Sequence, residues 1–155
     1  MNLNKCVLSF LNTASEILYR KLGDISGVEI CDMDYKVGNE PPSNGWSAYD
    51  ANIPFKAYDA HFWLRASFRT PACADNEYLI LRTVTGREGM WDATNPQGLL
   101  YLNRKMVQGL DTNHTEAFLD ADTEYTLHNY FHTCTYPKCG AIQCNMAVYA
   151  LNKDL

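Results

Sequence analysis

The chain has 155 residues, a length that suits one domain and allows about two thirds of the unfolded surface to be buried. Hydrophobic residues make up 46% of the sequence and charged residues 20%, which are ordinary values for a globular protein. The 13 basic and 18 acidic side chains leave a net charge of −5, which argues against nucleic acid or an anionic membrane as partner. No apolar run approaches the ~18 residues of a membrane span.

The first predicted element is an amphipathic helix within residues 1–23. Its apolar side chains recur at steps of four, three and four residues, at Val7, Leu11, Ala14 and Leu18. Gly23 is the expected end of this helix. The segment does not resemble a signal peptide, because Asn12, Thr13, Ser15 and Glu16 interrupt the run of apolar residues that a signal peptide needs. Residues 1–23 and 24–155 are expected to form one domain together.

Six cysteines are scattered along the chain, at Cys6, Cys31, Cys73, Cys134, Cys139 and Cys144. Disulfide frameworks occur mainly in small secreted domains, and this chain is long enough to fold around a core without bridges. The sequence therefore predicts reduced thiols and a cytoplasmic location.

The segment from residue 24 to residue 59 is rich in turn residues. Its clearest loop is Gly38 to Trp46, which contains Pro-Pro and Asn-Gly, and Val28 to Val37 is predicted to be an edge strand before that loop. The pattern then changes to a period of two. One predicted face carries Phe62, Leu64, Ala66 and Phe68, and the opposite face carries His61, Arg65, Ser67 and Arg69. Pro71 is expected to end this strand.

Further strands follow in quick succession. Glu77 to Val84 has apolar residues on both faces, which is typical of a central strand. A hairpin is predicted from Leu99 to Gln108 around Asn103-Arg104, with Arg104 where a primed turn favours glycine. The remaining predicted strands are Thr115–Leu119, Tyr125–Thr133 and Ile142–Asn152. Such a series of short strands predicts a mainly β fold, an antiparallel β-sandwich with a short N-terminal α-helix.

One group of residues resembles a set of zinc ligands: His128, His132, Cys134, Cys139 and Cys144. Two histidines four residues apart on one strand would lie about 13 Å from each other, whereas two ligands of one zinc lie within about 4 Å. The cysteines also lie on both sides of an expected hairpin and lack a tight C-x2-C pair. We therefore expect no metal site and interpret these cysteines as buried or free.

A second polar cluster comprises Asp111, Asn113, His114 and Glu116. A histidine between carboxylates could act as a general base, and the group could also hydrogen-bond sugar hydroxyls. The alternative is a turn in which Asp and Asn side chains bond to their own backbone. Spacing alone favours the turn, and the common nucleotide-binding, hydrolase and metalloprotease motifs are absent from the sequence.

The run "GLLYLNRKMVQGLDTNHTEAFL", preceded by "DAHFWLRASFRTPA", resembles the N-terminal region of glycoside hydrolase family 38 α-mannosidases of the bacterial and cytosolic type. The resemblance is most specific from Asp59 to Leu119. The shared residues are Trp63, Arg65, Pro71, Gly98, Tyr101, Asn103, Gln108, Gly109, Leu110, Asp111, Asn113 and His114. Arg104 departs from the family's usual glycine.

The resemblance implies a β-sandwich of the jelly-roll or galactose-binding-like kind. In that family, zinc and the nucleophilic aspartate belong to a following barrel that opens with a Gly-His-x-His-x-Asp run, which this sequence lacks. The resemblance therefore implies a non-catalytic N-terminal domain excised from a larger α-mannosidase, without a cofactor of its own. Its implied partners are the zinc-dependent catalytic domain and, for the parent enzyme, mannose-containing glycans. Asp111, Asn113 and His114 are then expected at the domain interface or the edge of the active site.

Two other functions remain open at this point. A free-standing carbohydrate-binding module would use exposed aromatic side chains, such as Trp63 or Trp91, to stack on sugar rings. A small cupin-like metal enzyme is the third possibility, and it would bind a stoichiometric metal ion.

Overall fold

The computed structural model describes residues 3–33, 40–53, 59–86, 96–133 and 142–154. These residues form one helix, α1 (Leu3–Leu18), and ten strands. The strands are β1 (Tyr19–Asp24), β2 (Glu29–Met33), β3 (Ser47–Ala48), β4 (His61–Arg69), β5 (Glu77–Val84), β6 (Gln97–Leu102), β7 (Lys105–Leu110), β8 (Glu116–Leu119), β9 (Glu124–His132) and β10 (Asn145–Asn152). The predicted mainly β, antiparallel sandwich is confirmed.

The strands belong to two antiparallel sheets. The four-stranded sheet has the order β1-β10-β5-β8, and the six-stranded sheet has the order β3-β2-β4-β9-β6-β7. The longest pairing joins β4 to β9 over nine residue pairs, from His61 opposite His132 to Arg69 opposite Glu124. β5 lies between β10 and β8, so the prediction of a central strand there is confirmed.

The core lies between the two sheets and follows the alternation of side chains along the strands. Phe62 and Leu64 of β4 face inward together with Leu127 and Phe131 of β9, and all four are buried. The four-stranded sheet contributes Leu79, Leu81, Met146, Val148 and Ala150. Burying each large apolar side chain contributes about 1.5–3 kcal/mol, so this layer supplies most of the stability of the sandwich.

The predicted end of the helix is wrong. α1 ends at Leu18 rather than at Gly23, and β1 begins at the next residue. Tyr19 pairs with Leu151 of β10, and Gly23 lies beside an irregularity in the β1–β10 register. Pairing with β10 therefore overrides the local helical pattern of this segment. No helix within the described ranges has the length and apolar character needed to cross a bilayer.

The sequence analysis missed β1 and the short strand β3. β3 lies at the edge of its sheet and pairs with β2, so β2 is not the edge strand that was predicted. The opposite edge of the same sheet is β7, on which Met106 and Val107 are exposed. Of the predicted loop from Gly38 to Trp46, residues 40–46 contain no strand, and the rest lies outside the described residues.

The β6–β7 hairpin turns at Asn103-Arg104, as predicted. Both residues have positive φ, 50° at Asn103 and 67° at Arg104, as the type I′ turn requires. The Asn103 side chain accepts a hydrogen bond from the Thr126 N–H at 2.9 Å and donates one to the Glu124 carbonyl at 3.2 Å. Asn103 thus joins the turn to β9. Arg104 adopts a left-handed backbone conformation, which is unfavourable for a residue with a side chain and lowers the free energy of unfolding.

We expect Arg104→Gly to raise the free energy of unfolding by about 1 kcal/mol, because glycine adopts positive φ without the steric cost of a side chain. Chemical denaturation would measure the change. Asn103→Gly is the matched control at the neighbouring position. It should lower the stability, since it removes the hydrogen bonds to Thr126 and Glu124. A loss of stability in Arg104→Gly would contradict the assigned turn.

Two glycines of the hairpin differ in the space around them. A Cβ on Gly98 would lie 2.7 Å from a ring atom of Phe131 and 2.9 Å from the Tyr130 carbonyl, whereas a Cβ on Gly109 would have no atom within 4 Å. Phe131 is buried in the core and cannot move away freely. We expect Gly98→Ala to destabilise the fold by about 1–3 kcal/mol through overpacking. Gly109→Ala should be close to neutral, and equal losses in the two variants would contradict this explanation.

Candidate functional site

A groove of about 630 Å³ lies at one end of the six-stranded sheet, over its outer face. His61 begins β4, His132 ends β9, Gln97 begins β6 and Leu110 ends β7. Because neighbouring strands are antiparallel, these four ends coincide in space. The groove is lined by His61, Gln97, Gly98, Leu99, Gln108, Gly109, Leu110, Asp111, His114, Tyr130 and His132.

Asp111 organises the turn at one side of the groove. Its Oδ1 accepts hydrogen bonds from the backbone N–H groups of Asn113 at 2.7 Å and His114 at 2.8 Å. The His114 ring approaches the same carboxylate, with Nδ1 2.9 Å from Oδ2. The hydrogen bond to His114, followed by that from the Asn113 N–H, lowers the pKa of Asp111. The carboxylate is thus engaged in a local turn, the alternative that spacing favoured.

The structure brings together two of the three residues predicted for the domain interface or active-site edge. Asp111 and His114 both line the groove. Asn113 is exposed and contributes its backbone N–H to the turn. Asp111 is the one carboxylate among the described residues that line the groove. Glycoside hydrolysis typically requires two carboxyl groups on either side of the bond, and the described lining supplies only one of them.

Trp63, one of the two predicted sugar-stacking residues, is buried. Trp63 is 1% exposed, and its ring packs against Tyr101 and Tyr130 with centroids 5.7 and 5.3 Å away. The expectation that Trp63 is exposed for stacking is therefore wrong, because neighbouring aromatic rings cover it on the outer face of the sheet. Trp91 lies outside the described residues.

A cluster that the sequence analysis missed lies at the other side of the groove. His61 and His132 are directly opposite each other in the β4–β9 ladder, and their rings stack with centroids 4.4 Å apart. Asp59, two residues before His61, places Oδ1 3.2 Å from Nε2 of His132. Tyr130 adds a hydrogen bond of 2.6 Å between its hydroxyl and Nδ1 of His61. Burial lowers the pKa of His61, and the nearby His132 lowers it further.

The other residues of the suspected zinc set do not join this cluster in the described part of the chain. His128 lies on β9 with His132, as expected, and its ring contacts the edge of Trp46. Cys144 is buried. Cys134 and Cys139 lie outside the described residues.

Comparison with known proteins gives structural likenesses only. A scan against models of known protein families finds no match, and a search of curated proteins finds none either. A solved structure of β-glucuronidase from Ruminococcus gnavus matches with a TM-score of 0.49 and 13% sequence identity, over 86% of this chain and 28% of that one. A β-glucosidase from Kluyveromyces marxianus matches with a TM-score of 0.39 and 11% identity, over 82% and 17%. The chain spans less than a third of the length of either structure.

The Asp111 turn generates a pH-dependent prediction. Asp111→Ala removes the acceptor for two backbone N–H groups, and we expect it to lower the free energy of unfolding by about 1 kcal/mol at pH 7. The folded-state pKa of Asp111 lies below its ordinary value of 3.8. Its contribution is therefore fully present above that value and is lost as the pH falls through the folded-state pKa. Urea denaturation of wild type and Asp111→Ala over a pH series would measure this effect. The two free energies of unfolding should approach each other as the pH falls.

The matched control is His114→Gln, which keeps the backbone hydrogen bonds to Asp111 and removes the imidazole. It should cost less stability than Asp111→Ala and should raise the pKa of Asp111, as followed by NMR. A stability difference between wild type and Asp111→Ala that widens at acid pH would contradict the role assigned to the ionised carboxylate.

Proposed function

We propose that this chain is a non-catalytic accessory β-sandwich domain of a larger glycoside hydrolase, an α-mannosidase, and that it packs against the catalytic domain. The observation that carries the proposal is the uncovered apolar surface of α1. Five large apolar side chains of this helix are exposed, with fractions from 48% to 71%: Val7, Leu8, Phe10, Leu11 and Ile17. Large contiguous apolar patches on a soluble domain usually mark a contact with another protein surface.

The exposed helix α1 leads directly into β1, an edge strand of the four-stranded sheet. α1 contacts β1 and β10, which are neighbours in that sheet. Phe118 of β8 is 70% exposed and lies against Tyr78 of β5, with the ring centroids 5.6 Å apart. A partner that covers both α1 and the outer face of this sheet would remove these apolar groups from water. Each fully covered side chain would contribute about 1.5–3 kcal/mol to the association.

In this proposal, the Asp111–His114 turn would border the interface. It connects β7 of the six-stranded sheet to β8, the edge strand of the four-stranded sheet. A domain docked across the four-stranded sheet would reach the turn at that edge. Asp111, Asn113 and His114 would then form part of the border between the docked domain and the groove.

The identity of the parent as an α-mannosidase rests on the sequence resemblance. The structure supplies local reasons for several shared residues. Gly98 allows the hairpin to pack on Phe131, Asn103 joins the turn to β9, and Asp111 organises the next turn. Arg65 forms an ion pair with Glu29, with Nε 2.6 Å from Oε2. These roles support a structural motif that serves the sandwich, with zinc and the nucleophile supplied by the catalytic domain of a cytoplasmic parent enzyme.

A free-standing carbohydrate-binding module is the second candidate, and the groove favours it. Gln97, Gln108, Asp111 and His114 offer planar polar groups suited to sugar hydroxyls, and Tyr130 offers part of an aromatic face. The α1 surface has no role in that function, so we place it second.

The decisive experiment begins with the gene that encodes this chain. We expect the same reading frame to encode a zinc-binding catalytic barrel as well. When the barrel is produced separately, it should bind this chain, and Phe10→Ser and Phe118→Ser should each weaken the complex by about tenfold or more. Met106→Ser is the matched control, because Met106 is equally apolar and 57% exposed but lies on β7 of the other sheet. Sedimentation velocity would measure the complexes.

The same proteins should be assayed with an activated aryl α-mannoside and zinc. We expect no turnover by this chain alone and turnover by the barrel or the complex. Turnover by the isolated chain that is lost in His114→Ala would contradict a non-catalytic role. Saturable binding of mannose or mannan by the isolated chain, without any adjoining barrel, would instead favour the carbohydrate-binding module.

A further inference from the structure

We propose that Asp59, His61 and His132 bind a divalent transition-metal ion of the zinc class at the edge of the groove. This metal site is separate from the zinc of a catalytic domain and does not depend on the proposed function. Each of the three residues offers one ligand atom, and the three atoms lie within 4.8 Å of one another.

The spacing of the ligand atoms suits a small divalent ion. Zinc binds imidazole nitrogen and carboxylate oxygen at about 2.0–2.2 Å, so two such ligands in a tetrahedral site lie roughly 3.4 Å apart. The observed separation of His132 Nε2 and Asp59 Oδ1 is 3.2 Å. The donor atoms of Asp59 and His132 are therefore already at a separation that suits two ligands of one ion, and the donor atom of His61 lies within 4.8 Å of both.

The backbone holds the ligands in place from both strands. His61 and His132 are paired across β4 and β9. Between Asp59 and His61, Ala60 donates a hydrogen bond to Oγ1 of Thr133 and accepts one from the Thr133 N–H, both at 2.9 Å. Thr133 is buried directly after His132. The three ligands thus project from two backbone segments that are locked together.

Asp59 and Tyr130 complete this arrangement. Asp59 has a φ of 48°, a left-handed conformation that Asp adopts more readily than most residues, and it aims the carboxylate at His132. The Tyr130 hydroxyl fixes the ring of His61 through Nδ1. Hydrogen-bonded partners of this kind orient metal-ligating histidines in known sites.

Binding requires one ring movement. The two imidazole planes are tilted by only 11°, so the in-plane lone pairs of the stacked rings do not converge on one point. His132 is the ring that turns, because Tyr130 restrains His61 and the His132 side chain is 32% exposed. Rotation about χ2 of histidine is soft, and it brings the His132 nitrogen towards the plane of His61.

The donor set selects the class of ion. Two imidazoles and one carboxylate suit Zn²⁺, Co²⁺, Ni²⁺ and Cu²⁺, whereas Mg²⁺ and Ca²⁺ prefer sites made only of oxygen ligands. Three protein ligands also leave a coordination position for water or another oxygen ligand. His61 and His132 line the groove, so a hydroxyl group of a molecule bound there is a suitable fourth ligand.

Calorimetric titration with Zn²⁺ and visible spectroscopy with Co²⁺ test the proposal on the whole chain. The exposed thiol of Cys6 is alkylated first, so that it cannot bind the ion. We expect one ion per chain and a Co²⁺ absorption spectrum of a low-symmetry site. Asp59→Asn and His132→Gln should each weaken binding by about tenfold or more, with the fold checked by circular dichroism.

Two further variants make the assignment specific. His128→Gln is the matched control, since His128 lies on the same face of β9 outside the cluster, and its affinity should equal that of wild type. His114→Gln tests the other histidine–carboxylate pair of the groove and should also leave the affinity unchanged. Absence of saturable binding of Zn²⁺ or Co²⁺ would overturn the proposal. Binding that persists in Asp59→Asn and His132→Gln but is lost in His114→Gln would also overturn it.

Discussion

The register between β4 and β9 is the constraint on which the rest of the sandwich depends. Nine consecutive pairs fix which residues of these two strands face the other sheet and which face outward. A shift of β4 by one residue would turn Phe62 and Leu64 out of the core, because strand side chains alternate with a period of two. The same shift would separate His61 from His132. One set of backbone hydrogen bonds therefore determines both the stability of the core and the composition of the groove.

Local patterns in the sequence predicted most of this architecture. The alternation from Phe62 to Phe68, Pro71 after the strand and the Asn103-Arg104 turn all report interactions between near neighbours, and all are present in the structure. The end of the helix was missed because it depends on a distant partner. Residues 19 to 24 become β1 through pairing with β10 near the other end of the described chain, and no local signal marks that contact.

Prediction of the groove from the sequence had the same limit, because local patterns do not show which distant residues come together. The Asp111 turn could be predicted, because Asp111, Asn113 and His114 are close in sequence. The spacing argument about His128 and His132 considered one strand only, and the closest imidazole to His132 comes from the neighbouring strand. Trp63 alternates with Phe62 and Leu64 along β4 and lies on the outer face of the sheet. Alternation does not reveal that Tyr101 and Tyr130 cover that face, so the exposure of Trp63 could not be read from the sequence.

The position of β7 at the edge of its sheet has a consequence for the behaviour of the protein at high concentration. An edge strand presents backbone N–H and C=O groups to any extended segment that approaches it, and Met106 and Val107 add an apolar surface at that edge. Lys105 at the start of the strand and the irregular register beside Tyr101 oppose intermolecular strand addition, as charges and bulges do in natural sheets. The hairpin therefore shapes the groove on one face and limits cross-β self-assembly at its outer edge.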